Sequence, residues 1–202
     1  MQRLAIFASG SGSNAERITQ HFAASPDVAV TLILTNNPQA GVIERARRGF
    51  GCGQHVPVLL FDRPAFRETD QIVTLLQRQQ IDLIVLAGFM WLVPSTLVRA
   101  FAGRIVNIHP ALLPKFGGKG MYGHHVHEAV VAAGERASGI TIHFVNEHYD
   151  EGGIIFQAAC PVLPTDTAAD VAARVHQLEY AHYPRVIGVV LQTLPALNQS
   201  LI

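Results

Sequence analysis

Short, fully apolar runs separated by amphipathic stretches are the feature that most restricts how this chain can fold. Residues 4–8 (LAIFA), 28–35 (VAVTLILT), 83–87 (LIVLA) and 105–108 (IVNI) have strand length and carry few or no polar positions. Strands buried on both faces read this way, as the central strands of a parallel sheet do. Between them lie stretches with helical spacing, at about 14–24, 41–48 and 64–80, and a further helix from Pro94 to about residue 102. A short strand fits 55–60. Strand–helix–strand alternation at this spacing implies parallel strands joined by right-handed crossovers. The later part changes character: 139–145 alternates Ile140, Ile142 and Phe144 with polar partners, and 153–162 is a second strand expected to pair with it antiparallel. Residues 167–193 read as one or two closing helices, with Pro184 kinking or interrupting the run.

The expected fold is therefore α/β: a Rossmann-like open, mostly parallel sheet with helices on both faces and antiparallel strands added in the C-terminal part. The 202 residues make one domain, with residues 1–105 as a phosphate-binding Rossmann-like half and 106–202 as a catalytic half. Fifteen basic residues balance fifteen acidic ones, so no basic excess marks a nucleic-acid partner. Cys52 and Cys160 form no CxxC pattern and suggest a reducing compartment. The apolar run at the N-terminus is too short for a signal peptide or a membrane span, so the expectation is a cytoplasmic protein with no membrane partner.

The loop Gly10-Ser11-Gly12-Ser13-Asn14-Ala15 lies between an expected strand and an expected helix. Glycine allows the tight turn, and the helix N-terminus behind it attracts an anion. The pattern also matches the permissive dinucleotide fingerprint, which requires an acid at the end of the second strand. Here that strand ends Leu34-Thr35-Asn36-Asn37, so a simple phosphate site fits better than a nicotinamide one. A tight turn with no ligand is the bland alternative.

Asn107-Ile108-His109-Pro110 falls at the carboxyl end of a strand, where ligands of open α/β sheets bind. Residues two apart share a strand face, so Asn107 and His109 can enter one cleft. The amide can stabilise an oxyanion, and the imidazole can give or take a proton near neutral pH, although an isolated Asn-x-His reads more readily as a strand-end pair that caps backbone groups. Asp150, between the two late strands, is a carboxylate able to orient that imidazole; Glu151 is equally placed by spacing alone. His124, His125 and His127 look metal-like, but neither an HExxH nor a cysteine pair accompanies them, so no metal is expected. His127 and His143 read instead as cleft-wall or core histidines. The serines of the glycine loop lack a GxSxG elbow. Trp91, with Leu92 and Val93, can wall a flat aromatic ligand or simply pack.

Taken in order, Ala8 through Asn14, Leu86 through Met90, Ile105 through Phe116, and Gly139 through Val145 followed by Asp150 and a double glycine resemble the glycinamide ribonucleotide formyltransferase family. The resemblance spans almost the whole chain, and the ordered set is far more specific than any one motif. It implies 10-formyltetrahydrofolate as co-substrate, no metal, and small-molecule substrates only, in a monomer or homodimer. Asn107, His109 and Asp150 match the family's catalytic trio. Gly12, Ser13 and Asn14 match the phosphate loop, and Glu179 a residue that contacts the amine substrate. Arg63, Met90, Trp91, Leu92, Val93, Asn107, Asn146, Glu147, His148, Tyr149 and Asp150 match the folate surface, which makes 106–202 the folate-binding half.

Three features depart from the pattern: the stretch 117–125 is longer than in many members, Trp91 stands where a basic residue is often found, and the chain ends early, soon after Leu191. The activity implied is formyl transfer to the amine of 5'-phosphoribosylglycinamide in purine biosynthesis, by direct amine attack. The alternative is a 10-formyltetrahydrofolate hydrolase, a relative that uses water as acceptor and usually carries an N-terminal regulatory domain. Methionyl-tRNA formyltransferase shares the Asn-x-His-Pro segment but needs a tRNA-binding domain. A non-catalytic dinucleotide-binding module and a histidine-based metal hydrolase complete the rivals.

Overall fold

The computed structural model describes residues 1–194, so the end of the single-domain expectation, 195–202, lies outside the described residues. Seven strands form one sheet: β1 (Gln2–Phe7), β2 (Val28–Thr35), β3 (Val58–Leu60), β4 (Leu83–Leu86), β5 (Ile105–His109), β6 (Ala137–Phe144) and β7 (Ile154–Pro161). Their spatial order is β3-β2-β1-β4-β5-β6-β7. The first five are parallel, and β6 and β7 join antiparallel, as the change of pattern after residue 138 predicts.

Alternation along each strand separates two cores. Leu4 and Ile6 of β1 point to one face, where α1 (Ser13–Phe22), α2 (Gly41–Arg47), α6 (His124–Ala132) and α7 (Ala168–Thr193) contribute Ile18, Val42, Val130 and Val175. Ala5 and Phe7 point to the other, covered by Phe66 of α3 (Arg63–Arg67), Leu76 of α4 (Gln71–Arg78) and Leu97 of α5 (Ser95–Ala100). Strands buried on both sides cannot afford polar positions, which is why β4 reads LIVL with all four residues buried.

Three elements differ from the expectation. The helix expected at 64–80 is two helices: Asp62 starts α3 by accepting the Ala65 N–H, and the chain breaks at residues 68–70 before α4 begins. The strand expected at 55–60 is only Val58–Leu60. α6 has no counterpart in the sequence reading: its histidine-rich first turn hides the apolar face of Val126 and Val130. α7 is one 26-residue helix that holds Pro184 within it. A reciprocal cap starts it, in which Thr167 accepts the Asp170 N–H while the Asp170 carboxylate accepts the Thr167 N–H.

Candidate active site

Strand order reverses between β1 and β4, because the chain leaves β1 toward β2 on one side and returns to β4 on the other. Loops from the two strands diverge there and leave a crevice at the strands' carboxyl ends. A cleft of about 740 Å³ opens at this place. Residues 10–14 after β1, 86–93 after β4 and 107–110 of β5 line it, joined by the 118–124 and 148–150 loops and by His176 and Glu179 of α7.

The glycine loop is held open by backbone strain that only glycine avoids. Gly12 has φ +76°, and a Cβ there would lie 2.6 Å from the Val42 Cα. Gly12 precedes α1 without a side-chain cap, so the first N–H groups of the helix face the cleft unclaimed by the helix itself. The two asparagines that stand where a nucleotide site needs an acid have a different task. Asn36 Oδ1 accepts the Ser9 hydroxyl at 2.7 Å, and Asn37 donates to the Ser9 carbonyl at 3.1 Å. Ser9 Oγ in turn accepts the Met90 N–H, so the loops after β1, β2 and β4 are tied at one serine.

Asn107 and His109 are two residues apart on β5 and reach the same cleft, as the strand period requires. Asp150 enters from the β6–β7 connection. Its φ is +57°, and Gly152 beyond it passes so close to β6 that a Cβ would sit 1.7 Å from the Phe144 carbonyl oxygen. Gly152 is thus what lets this loop fold back, whereas Gly153 has open space where a Cβ would lie. The Gly118 N–H donates to Asp150 Oδ2 at 2.9 Å, and His109 Nδ1 lies 3.5 Å from the same oxygen. Glu151, equal to Asp150 on spacing, is exposed and stands outside the cluster.

Both ring nitrogens of His109 face oxygen. Nε2 is 2.7 Å from the Phe116 carbonyl, which only accepts, so Nε2 carries a proton. Nδ1 then holds the lone pair in the neutral ring and meets Asp150 through a hydrogen bond once protonated. Burial pulls the His109 pKa below its ordinary value, against the opposing pull of Asp150 and the Phe116 carbonyl. Burial would raise the Asp150 carboxyl, but His143, His109 and the Gly118 N–H outweigh it and hold its pKa below the usual range.

His143 completes the cluster, in the cleft-wall position expected of it but with closer ties than the sequence shows. It sits opposite Asn107 in the β5–β6 register. Its Nδ1 donates to the Phe144 carbonyl at 2.8 Å, which leaves Nε2 to accept from Asn107 Nδ2 at 3.1 Å while the ring is neutral. Nε2 is also 3.5 Å from Asp150 Oδ1, a bond it can donate only when protonated; the shorter contact to Asn107 is the better account of the neutral site. The signal was a histidine alternating with Ile142 and Phe144, and its meaning needed the strand pairing.

Met90, Trp91, Leu92 and Val93 line the apolar end with Leu86 and Val145. Phe7, Phe66 and Phe89 pack behind Trp91, with ring centroids 5.3 to 6.3 Å apart in the contacts Phe7–Phe89, Phe66–Phe89, Phe66–Trp91 and Phe89–Trp91. His148 and Tyr149 also line the cleft, whereas Arg63, Asn146 and Glu147 do not. The Arg63 guanidinium lies over Trp91 at 5.3 Å and lines an adjoining groove. Asn146 accepts the His148 N–H, and Glu147 reaches Arg99 at 3.9 Å. At the other end Glu179, 6% exposed, accepts from Asn14 Nδ2 at 2.9 Å; burial raises its pKa, opposed by Asn14 and His176. Among the described residues no group of three or more His, Cys, Asp or Glu is placed to hold a metal ion; His124 and His125 pair instead with Glu128.

Fold and cleft together define an open α/β protein with an anion-attracting glycine loop, an apolar slot, and an amide–imidazole–carboxylate cluster between them. The profile of the formyl transferase family matches residues 2–187, and the chain belongs to that family. It is 42% identical over 197 residues to phosphoribosylglycinamide formyltransferase, chloroplastic, of Arabidopsis thaliana, covering 95% of this chain and 66% of the relative. A chloroplastic relative from Vigna unguiculata is 44% identical and is covered to 61%, so the chain spans under two thirds of these plant proteins' length. The phosphoribosylglycinamide formyltransferase of Bacillus subtilis is 37% identical, with 95% of each chain covered. The crystal structure of the enzyme of that name from Bacillus halodurans superposes with a TM-score of 0.84 at 38% identity, over 97% of this chain and 98% of the other.

Proposed function

We propose that this chain transfers the formyl group of 10-formyltetrahydrofolate to the amine of 5'-phosphoribosylglycinamide. The single observation that carries the reading is the meeting of Asn107, His109 and Asp150 in a cleft that runs from an apolar aromatic wall to a phosphate-type glycine loop. A flat pterin suits Met90 through Val93, Val145 and the 148–150 loop, with Arg63, Asn146 and Glu147 bracing those walls from outside. A phosphorylated amine suits Gly12, Ser13, Asn14 and Glu179. The names of the bacterial relatives, which this chain matches over 95% or more of their length, favour the same substrates.

In this mechanism the amine nitrogen attacks the formyl carbon, and the carbonyl oxygen becomes an oxyanion. The Asn107 amide gives up its long 3.5 Å contact to Asp150 and donates to that oxyanion. The proton that the attacking nitrogen sheds is held at His109 Nδ1, as an imidazolium that Asp150 stabilises. It then passes through water to N10 as the carbon–N10 bond breaks, which returns His109 to its neutral form. Holding both substrates in one cleft supplies the proximity, so no covalent enzyme intermediate is required.

Residues 1–194 act as one unit, because the sheet runs unbroken from the phosphate loop to β7 and the cleft draws on both halves. The protein acts on small molecules as a monomer or homodimer in the cytoplasm; among the described residues no helix is long and apolar enough to cross a membrane. The test is to incubate the protein with 10-formyltetrahydrofolate, with and without 5'-phosphoribosylglycinamide, and follow loss of the formyl group. Loss that depends on the amine is expected. Equal loss without the amine would make the protein a hydrolase and overturn the assignment.

A further inference from the structure

One end of the cleft carries groups that the formyl-transfer steps leave unused. His127 is 2% exposed and lines the cleft, yet its Nδ1 has no hydrogen-bond partner. Asn14 lines the same cleft, and its Oδ1 is also buried and unpaired. Among the described residues the other two such atoms, Arg3 Nε and Ser138 Oγ, do not line the cleft. A buried polar atom without a partner is destabilising, and its satisfaction by a ligand is a standard reason for it to persist.

α7 links these two atoms. His176 and Glu179 are three residues apart and so share a helix face. Glu179 holds Asn14 at 2.9 Å, and the His176 ring lies 6.4 Å from the His127 ring, centroid to centroid. Tyr180 stacks on His176, with Arg17 of α1 over Tyr180. The surroundings favour an anion. Gly123 gives α6 no side-chain cap, its first turn holds no acid, and Lys119 and His124 also line the cleft. The α6 N-terminus therefore directs positive potential to where the His127 ring lies.

We propose that His127 and His176 form one jaw of a clamp for the substrate's phosphate, with the N-terminal turn of α1 as the other jaw, and that closing on the phosphate draws a proton onto His127. The clamp rests on the reading of the cleft as a site for a phosphorylated amine. In this arrangement Asn14 Oδ1 and Glu179, both acceptors, take the sugar hydroxyls, and the imidazoles take the anion.

The titratable groups facing His127 are His124 on its own helix, His176 on α7 with Glu179 one turn further along, and His109 on β5. In the empty cleft burial lowers the His127 pKa to about 4, and the neighbouring histidines add to the effect. A phosphate dianion beside the ring raises that pKa. Proton uptake on binding follows, and affinity rises as the pH falls from 8 toward the phosphate's own pKa near 6.

The experiment is calorimetric titration of the full chain with ribose 5-phosphate at pH 7, in two buffers of different ionisation enthalpy. The wild-type protein is expected to take up about half a proton per ligand, and His127→Gln almost none, with about tenfold weaker binding. His176→Gln, at an exposed helix position, provides a second variant, and the His127 ring signal in NMR follows protonation in the unaltered protein. Absence of binding at millimolar ligand, binding without proton uptake, or uptake unchanged in both variants would each overturn the clamp. Ribose 5-phosphate bound with proton uptake by a protein that transfers no formyl group would leave the clamp standing and remove only the activity assigned above.

Discussion

At the scale of single residues, the site is a matter of which atoms carry protons. The Phe116 carbonyl claims the Nε2 proton of His109, so Nδ1 is the nitrogen of this ring that shares a proton with Asp150 when charge develops. Asp150→Asn keeps the shape and the Gly118 contact but removes the charge that stabilises an imidazolium. It is expected to lower kcat about a hundredfold or more with little change in Tm, measured by steady-state formyl transfer and a thermal melt. Near-normal turnover would show that the carboxylate takes no part. Much of this trio was legible in the sequence, because Asn107 and His109 obey the strand period and the loop after residue 145 carries its acid beside two glycines. Two things were not. The choice of Asp150 over Glu151 depends on a left-handed backbone turn at Asp150, and the role of His143 depends on which strand lies opposite. Neither is a property of local spacing.

At the scale of elements, the cleft is held by contacts that have no chemistry of their own. Tyr183, fully buried on α7, donates its hydroxyl to the Leu86 carbonyl at 2.9 Å, with the Val106 carbonyl 3.3 Å away. One side chain thus fastens the long helix to the ends of β4 and β5, where the apolar slot and Asn107 begin. Tyr183→Phe leaves buried carbonyls without their donor and is expected to cost about 1–3 kcal/mol in urea-induced unfolding. An unchanged midpoint would mean that water replaces the bond. The elements themselves were readable wherever a long apolar period was present, as in the parallel strands. They were missed where a short polar motif outweighed the pattern. The helix of His124–Ala132 carries its apolar contacts at Val126 and Val130, inside what the histidines made look like a metal site. The break between α3 and α4 falls at residues 68–70, inside an apolar period that runs on across it and conceals it.

At the scale of the whole molecule, several histidines are placed so that folding itself depends on pH. His109, His127 and His143 are buried, and burial holds the first two below their ordinary pKa. A histidine whose pKa is lower in the folded than in the unfolded chain leaves the unfolded state with more bound protons once the pH drops. Stability is then complete above about pH 6.5 and declines as the pH falls toward the folded value, which for His127 is about 4. Asp150 acts in a separate window: its pKa is depressed, so its contribution survives until the pH falls below the ordinary carboxylate range. Between pH 7.5 and 5, the loss due to His127 alone comes to at most about 2 kcal/mol, since the ring opens onto the cleft and is partly screened. Urea titrations of the wild-type protein and His127→Gln at those two pH values measure it as a difference of differences. The wild type is expected to lose more stability than the variant, and a saturating phosphomonoester is expected to restore part of the loss at pH 5, because the bound anion raises the His127 pKa of the folded state and lets it bind the proton that otherwise only the unfolded chain binds. Equal losses in the two proteins would mean that the cleft hydrates this ring as freely as the unfolded chain does.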